Sequence, residues 1–290
     1  MKTLNPVLVL IMMFFVTRYN KTEGKITKTI TIDSLGACQG ISHQNGRYFL
    51  YGDREVGVMR EYQLRKDSLI YQHREYQFTV KGENIIKHPT GIAYHKGLPT
   101  FVGNSVKQNA AGTLWKAVIN CINWKGFLKT RKLDGNLIKS IEDDACIQGT
   151  RPEYVRYKGN WFVATADYGK ANEVRLYNPE ALFKANKTSE KGILFKKFTC
   201  SPWVQNLHYI ADKGILVLIQ NQVEGRKWRL TFLNLEKSIA EGHEVVLNVI
   251  DTDKPDELEG LNFTDKANKG IAVSSSRKNN VSFMDFAFGG

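Results

Sequence analysis

The sequence repeats one short frame five times. In each copy a polar residue opens an apolar segment, a turn follows, and a second apolar segment ends on a polar residue 14 or 16 residues after the first. In the second copy, from Thr90 to Asn104, the turn Lys96-Gly97 lies between Ile92-Ala93 and Phe101-Val102. Two apolar runs joined by a short turn predict a β-hairpin. Consecutive frames begin 51 to 63 residues apart, so each repeat has room for several strands.

Repeats of this length, each with several short strands, predict a β-propeller, because a small sheet cannot bury both of its faces alone. Residues 25–32 alternate polar and apolar side chains and precede the first repeat, whereas the last repeat ends after Val281–Phe286. We therefore expect an all-β, five-bladed propeller whose ring is closed by the N-terminal strand. Six blades would result if residues 105–150 contain a degenerate repeat. A β-sandwich is the other alternative, but it would not explain the constant frame.

Two further local predictions concern the connecting regions. Asn178-Pro179-Glu180 is typical of a helix start, so we expect a short helix from Glu180 to Lys184. A strand is expected near Phe127–Leu133. Apart from residues 1–24, we expect a single domain over residues 25–290.

The ten framing residues all carry side-chain oxygen atoms. Because the first strand of a propeller blade lies next to the axis and the second pairs with it antiparallel, the start of the first strand and the end of the second meet at one rim. The opening residues are Gln39, Thr90, Glu153, Gln205 and Glu259, and the closing residues are Asp53, Asn104, Asp167, Asn221 and Ser275. We expect all ten around one mouth of the central channel.

Such a ring of carboxylate and amide oxygens suits a hard divalent cation. Ca²⁺ takes oxygen ligands of these kinds, and the absence of clustered His or Cys argues against zinc or copper. The candidate metal ligands are Asp53, Asn104, Asp167 and Asn221, and the candidate ligand-binding residues are Gln39, Thr90, Gln205, Glu259 and Ser275. The alternative is a metal-free, water-lined channel whose amides hydrogen-bond to neighbouring loops.

Three residues near this mouth are candidates for catalysis. His88 stands two residues before Thr90, where it would act as a general base or a substrate ligand, unless its role is structural. Arg151 would clamp an anionic substrate or form a salt bridge with Glu153 or Asp167. Glu153 is the candidate catalytic carboxylate.

The segments Pro89-Thr90-Gly91-Ile92 and Leu258-Glu259-Gly260-Leu261, with the closing Asn and Asp residues, carry a family resemblance. They resemble the calcium-dependent propellers of the gluconolactonase, paraoxonase and strictosidine-synthase-like group. The resemblance implies axial Ca²⁺ that polarises a lactone or ester carbonyl, while a His or carboxylate activates water. Two positions depart from the group: Thr90 stands where paraoxonase-like members carry His, and Gln39 stands where Glu is expected.

The net charge of +12 does not by itself indicate nucleic-acid binding. The Lys and Arg residues are scattered, and no RNP, KH or zinc-finger signature accompanies them, so no nucleic-acid partner is expected. The four cysteines, Cys38, Cys121, Cys146 and Cys200, form no CxxC pair, which makes a zinc site unexpected. They leave two possibilities open, up to two disulfides or four free thiols.

The N-terminus resembles an export signal. Lys2 precedes an uninterrupted apolar run from Val7 to Val16, which has the length of a signal-peptide core and is too short to span a bilayer. We expect residues 1–24 to be a signal peptide, and a secreted or periplasmic monomer with no other transmembrane segment.

The sequence thus predicts an exported propeller that binds a small-molecule or glycan-like ligand at the channel mouth. Calcium-dependent hydrolysis of a lactone or ester is the favoured chemistry. A non-catalytic propeller that binds a carbohydrate or a protein is the alternative.

Overall fold

The computed structural model describes residues 23–169, 172–222, 227–264 and 268–287. Over these residues the chain forms five four-stranded antiparallel sheets in sequence order, which confirms the five-bladed β-propeller. The predicted signal peptide falls almost wholly on residues 1–22, outside the described residues. The first strand, β1 (Glu23–Ile30), includes the last two residues of that predicted segment.

The first two blades occupy the N-terminal half of the chain. Blade 1 contains β2 (Cys38–Gln44), β3 (Arg47–Asp53), β4 (Gly57–Leu64) and β5 (Leu69–Gln77). A two-stranded ribbon follows, β6 (Thr79–Val80) and β7 (Glu83–Asn84). Blade 2 contains β8 (Pro89–Ala93), β9 (Thr100–Lys107), β10 (Trp115–Ile122), helix α1 (Trp124–Thr130) and β11 (Leu137–Glu142). Residues 105–150 therefore complete blade 2 and contain no sixth blade.

The remaining blades follow the same plan. Blade 3 contains β12 (Glu153–Tyr157), β13 (Asn160–Thr165), β14 (Asn172–Tyr177), helix α2 (Pro179–Lys184) and β15 (Leu194–Cys200). Blade 4 contains β16 (Val204–Ile210), β17 (Ile215–Asn221), β18 (Trp228–Asn234), helix α3 (Leu235–Glu241) and β19 (Val246–Thr252). Blade 5 contains β20 (Leu258–Phe263), β21 (Lys269–Ser274) and β22 (Val281–Ala287).

The ring closes as predicted. β1 pairs antiparallel with β22 from Glu23↔Ala287 to Ile30↔Val281, so the N-terminal strand is the outermost strand of blade 5. The side chain of Asn280 fixes the end of this strand, because its Oδ1 accepts from Ile32 N and its Nδ2 donates to Ile32 O.

One local prediction was confirmed and one was wrong. Helix α2 lies where a short helix was expected, with Asn178 as its N-cap. The strand expected near Phe127–Leu133 is mostly helix α1 instead. Asn123 caps this helix by accepting from Gly126 N, and the helix buries Trp124 and Phe127 on one face, which the apolar pattern alone did not distinguish from a strand.

The hydrophobic core consists of five clusters, each formed where two neighbouring blades meet. Leu50 of blade 1 packs with Ile271 and Val273 of blade 5, for example, whereas Phe49 of blade 1 packs with Ile92 and Val102 of blade 2. Alternate residues of one strand therefore serve two different interfaces. Cys38, Cys121, Cys146 and Cys200 are free thiols, so the ring is held without disulfides among them.

Candidate functional site

The first strands of the blades line the central channel. β2, β8, β12, β16 and β20 contact one another around the axis. In blades 1, 2, 4 and 5 this strand carries a β-bulge after its first paired residue, and the extra residues are Gln39, Thr90, Gln205 and Glu259. A bulge re-aims a side chain and bends the strand. These four residues therefore begin the innermost strands at one end of the channel, which we call the entry rim.

In blade 3 the opening residue lies one position further along the innermost strand than in the other four blades. Glu153, Gly40 and Asn206 each stand four residues before the last paired residue of their strands, at Tyr157, Gln44 and Ile210. Glu153 is thus level with Gly40 and Asn206, and not with Gln39 and Gln205 as the frame count suggested. The reason is that four of the frames contain a bulge that absorbs one residue.

Arg151 takes part in the entry rim of blade 3. Its side chain is buried, its Nε donates to Gln205 O at 3.3 Å, and its Nη2 donates to Gln205 Oε1 at 3.1 Å. The guanidinium lies 5.8 Å from the ring centre of Tyr168. Burial lowers its pKa, while the carboxylates of Asp167 and Glu259 raise it. Arg151 therefore places a positive charge between blades 3 and 4 at the rim.

The closing residues hold the loops that lead into the innermost strands. Asp53 Oδ1 accepts from Ala37 N at 3.1 Å, and Asn104 Oδ1 accepts from His88 N at 3.1 Å. In blade 4, Asn221 Oδ1 accepts from Leu258 N at 2.8 Å, which joins this blade to blade 5. These bonds satisfy main-chain donors that would otherwise be buried unpaired.

Blade 3 uses its closing side chain in the same way, whereas blade 5 uses the main-chain N–H of its closing residue. Asp167 accepts three main-chain bonds, from Ile147 N to Oδ2 and from Gln148 N and Tyr168 N to Oδ1. Ser275 donates its main-chain N–H to Glu257 O at 3.0 Å. Among the opening residues, the Thr90 hydroxyl donates to Thr150 O.

The four candidate metal ligands, in the positions that they occupy, do not fit a calcium site. The oxygens of Asp53, Asn104, Asp167 and Asn221 each face a main-chain N–H, and Arg151 brings a cation beside Asp167. Over the part of the chain that the structure describes, no group of three or more His, Cys, Asp or Glu side chains could hold a metal ion. The contacts match the alternative in which these side chains hydrogen-bond to neighbouring loops. Calcium binding stays a prediction for titration.

A cavity of about 240 Å³ lies on the axis, and we call it the axial cavity. Glu153 and Asn206 project into it from blades 3 and 4, and Tyr51 reaches it from the second strand of blade 1. Asn206 Nδ2 donates to Tyr51 Oη at 3.3 Å across the channel and to Glu259 O at 2.9 Å. The channel is therefore bridged by side chains at this level.

Glycine at the same level of the other blades makes this arrangement possible. A Cβ on Gly40 would lie 2.2 Å from Tyr51 Oη, so any side chain there would displace the tyrosine. A Cβ on Gly260 would lie 3.0 Å from Gly40 Cα, which shows how closely β20 approaches β2. The two strands that carry larger residues here, β12 and β16, supply Glu153 and Asn206 to the cavity.

The ionisable groups of the axial cavity have pKa values that favour their neutral forms. Burial raises the pKa of Glu153 to about 8, and the main-chain N–H of Tyr209 only partly offsets this effect. Burial and the nearby His43 lower the pKa of His208 to about 4. The amide side chains that line the cavity, Gln44, Asn206 and Asn262, carry no charge. Near neutral pH the cavity thus offers hydrogen-bonding groups with little net charge.

His88 lies elsewhere. Its Nδ1 is 3.0 Å from Asp53 Oδ2, and both residues line a separate cavity at the entry rim between blades 1 and 2. This rim cavity shares no lining residue with the axial cavity. The structure thus brings His88 together with Asp53 and Asn104, and it separates them from Glu153.

Sequence reasoning missed Tyr51, Asn206, His43 and Asn262 as cavity residues. Tyr51 lies on the second strand of its blade and is not one of the ten framing residues. Asn206 directly follows an opening residue. One signal was available: Gly40, Gly91 and Gly260 follow their opening residues directly, whereas blade 4 has Asn206 at this place. A glycine position replaced by a polar residue indicates a side chain that enters the channel.

Comparisons with known proteins support the fold. No family model matches the chain, and no curated protein matches it. The solved structure of Myxococcus xanthus glutaminyl cyclase is similar with a TM-score of 0.55 at 11% identity, covering 92% of this chain and 98% of that one. Hydrazine synthase of Kuenenia stuttgartiensis gives a TM-score of 0.44 at 12% identity, covering 84% of this chain and 57% of that one.

Among the described residues, no helix is both long enough and apolar enough to cross a membrane.

Proposed function

We propose that the axial cavity binds a small, uncharged, polar molecule and that Glu153 is its acid–base residue. The observation that carries the proposal is the Glu153 carboxyl, which is partly buried on the axis beside Tyr51 and Asn206 and has a pKa raised to about 8. A carboxyl with such a pKa both donates and accepts protons near neutral pH. Perturbed titratable groups that converge in a cavity are typical of active sites.

The chemistry of the cavity wall favours the ligand class. Asn206, Asn262 and Gln44 offer both donors and acceptors, and the neutral forms of Glu153 and His208 add no charge. A charged ligand would lose its hydration without gaining a counter-ion there. Sugars, their lactones and small amides match this wall, in agreement with the glycan-like ligand expected from the sequence.

Hydrolysis of a lactone or ester is the reaction that we propose. Water adds to the carbonyl carbon, the bond from that carbon to the ring oxygen breaks, and the departing oxygen takes a proton from Glu153. The water loses its proton, which restores the Glu153 carboxyl. Cyclisation of a glutaminyl amide, the activity named for the Myxococcus xanthus neighbour, also needs a proton donor for its leaving group and belongs in the same substrate panel. The apolar run Val7–Val16 supports an exported enzyme.

Calorimetry and turnover assays with glucono-δ-lactone, aryl esters and a glutaminyl peptide test the proposal. General acid–base catalysis contributes roughly 10²–10⁴-fold, so Glu153→Gln should lower kcat by about that factor while ligand binding changes little. Asn206→Ala should weaken binding. Glu55→Gln, at an exposed glutamate, is the matched control and should leave both quantities unchanged.

Three outcomes are informative. Full turnover by Glu153→Gln would contradict the catalytic assignment. Binding of the lactone or a sugar without turnover would favour the non-catalytic carbohydrate-binding propeller. A rise in Tm on adding Ca²⁺, abolished by Asp167→Ala, would support the calcium site; an unchanged Tm with Ca²⁺ or chelator would argue against it.

A further inference from the structure

The rim cavity is a second candidate binding site that the proposed function does not use. It has a volume of about 400 Å³ and lies at the entry rim between blades 1 and 2. Its wall combines the His88–Asp53 pair, the lysines Lys87 and Lys107, and an apolar part that includes Trp115. None of these side chains lines the axial cavity, so the argument below does not depend on the proposed function.

The His88 ring is held in a defined orientation. Its Nδ1 lies 3.0 Å from Asp53 Oδ2, and Asp53 is itself anchored because its Oδ1 accepts from Ala37 N. The main-chain N–H of His88 donates to Asn104 Oδ1, which fixes the backbone. The Asp53 carboxylate keeps a proton on Nδ1, and Nε2 donates to a ligand in the doubly protonated form of the ring. Both the ring and its partner are about one-quarter to one-third exposed, at 31% and 25%.

Trp115 is fixed in a similar way on the opposite strand. Its indole Nε1 donates to Gly112 O at 2.8 Å, and the ammonium of Lys107 lies 5.2 Å from its ring centre. The indole is therefore a preformed flat surface, and its neighbours Ile85 and Val106 extend the apolar wall. Lys107 and Lys87 are exposed at the same cavity, so their ammonium groups are hydrated and available to an incoming anion.

The charges set the kind of anion. Lys87 and Lys107 contribute two positive charges, and Asp53 contributes one negative charge beside His88. The net positive charge at the cavity is therefore small. Asp53 repels a doubly charged group such as a phosphate monoester more strongly than it repels a carboxylate. We propose that the rim cavity binds a small organic carboxylate with an aromatic or branched apolar body. The carboxylate contacts Lys107 and accepts from Nε2–H of the imidazolium form of His88, whose Nδ1–H stays on Asp53. The apolar body packs on Trp115 and Val106.

Isothermal titration calorimetry of the intact protein with phenylacetate tests this assignment. Phenylacetamide has the same shape without the charge, acetate lacks the ring, and phenyl phosphate carries the second charge. We expect the Kd of phenylacetate to be at least about tenfold lower than that of each of the three, a difference of ~1.4 kcal/mol in binding free energy. Phenylacetate should also change the intrinsic fluorescence, and Trp115→Phe should remove most of that change.

Single substitutions locate the site. Lys107→Ala and His88→Gln should each weaken phenylacetate binding roughly five- to tenfold, the range of a charge-assisted hydrogen bond. Lys125→Ala, at an exposed lysine on α1, should leave it unchanged. The melting temperature of each variant verifies that it is folded.

The inference is overturned if wild-type protein does not bind phenylacetate. It is also overturned if phenylacetamide or phenyl phosphate binds as tightly as phenylacetate, or if folded Lys107→Ala and His88→Gln bind it like wild type. Lactone turnover in the axial cavity is measured separately, so failure of one site does not imply failure of the other.

Discussion

Buried and partly buried polar side chains on the inner strands and at the blade ends have two different roles in this protein. Asp53, Asn104, Asp167 and Asn221 bond to main-chain N–H groups and hold loops in place. Glu153 has no comparable set of donors, and burial raises its pKa to about 8. A buried carboxyl that is poorly solvated costs stability when it ionises, and such a cost is often retained where the group has a function.

This cost should appear as a pH dependence of the difference in stability between the wild type and Glu153→Gln. The carboxyl of Glu153 has a pKa of about 8 in the folded protein and near 4.5 when unfolded, so the folded state binds more protons between these values. The free energy of unfolding of the wild type should therefore fall, relative to the glutamine variant, as pH rises from 4.5 to 8, and stay lower above pH 8. Because one pKa unit corresponds to ~1.4 kcal/mol, the difference should reach a few kcal/mol.

Urea unfolding of both proteins between pH 4.5 and 9 measures this difference. His208, whose pKa is lowered to about 4, costs stability as pH falls from 6.5 towards 4, but this contribution is common to both proteins and largely cancels. Glu55→Gln is the control for loss of a glutamate at the surface. A pH-independent difference between Glu153→Gln and wild type would contradict the raised pKa.

At the residue scale, the sequence predicted which residue types collect near the axis but not which way each one points. Glu153 shows the reason. The frame count treats all repeats alike, whereas the β-bulges at Gln39, Thr90, Gln205 and Glu259 each absorb a residue. A shift of one residue in a strand changes the face on which a side chain lies. The roles of Asn206 and Tyr51 were missed because they depend on Gly40. The absence of a side chain there leaves room for the Tyr51 hydroxyl, to which Asn206 donates from across the channel.

At the element scale, the inner strands are packed closely enough that glycine is required in places. β20 approaches β2 so closely at Gly260 that a Cβ there would be 3.0 Å from Gly40 Cα. Main-chain atoms cannot rotate away as the tip of a side chain does. The hairpins themselves were predictable from apolar runs and turns. Helix α1 replaced an expected strand and α3 was not predicted, because capping by Asn123 and Asn234 depends on main-chain geometry.

Gly260→Ala should therefore destabilise the protein by about 1–3 kcal/mol, the usual cost of inserting a methyl group into a packed site. Gly24→Ala is a matched control, since its Cβ would meet only side-chain atoms, of Ile250 at 3.1 Å and of Phe286 at 3.4 Å, and side chains can move. Thermal unfolding of the two variants compares them directly. Equal melting temperatures would show that the inner strands are less tightly packed than the distances indicate.

At the scale of the whole molecule, stability depends on closing the ring. Blade 5 takes β1 from the N-terminal part of the chain and β20–β22 from the C-terminal part. The repeat count and the stray first strand were enough to predict this closure. The side chain that secures the closure was not predictable, because Asn280 acts through two hydrogen bonds to the main chain of Ile32, 248 residues away.

Asn280→Ala should weaken the closure. The side chain is 1% exposed, and its loss leaves the main-chain N–H and C=O of Ile32 without their partner. We expect a destabilisation of about 1–3 kcal/mol, with hydrogen exchange in β1 accelerated more than in blade 3. Lys278→Ala, at an exposed neighbour, controls for changes in the same loop. Uniform acceleration in all blades would mean that the ring opens only when the whole protein unfolds.

The shared fifth blade also sets the order in which a newly made chain becomes complete. Within the propeller β1 is synthesised before the other strands and β22 after them, so β1 lacks its partner while blades 1 to 4 assemble. Pairing between such distant segments is slow, because the whole intervening chain must be in place first. The incomplete ring exposes the strand edges of β1 and the apolar face of blade 4 that packs on blade 5, until blade 5 has been synthesised. An N-terminal segment bound elsewhere during that time would keep the ring open until it was released.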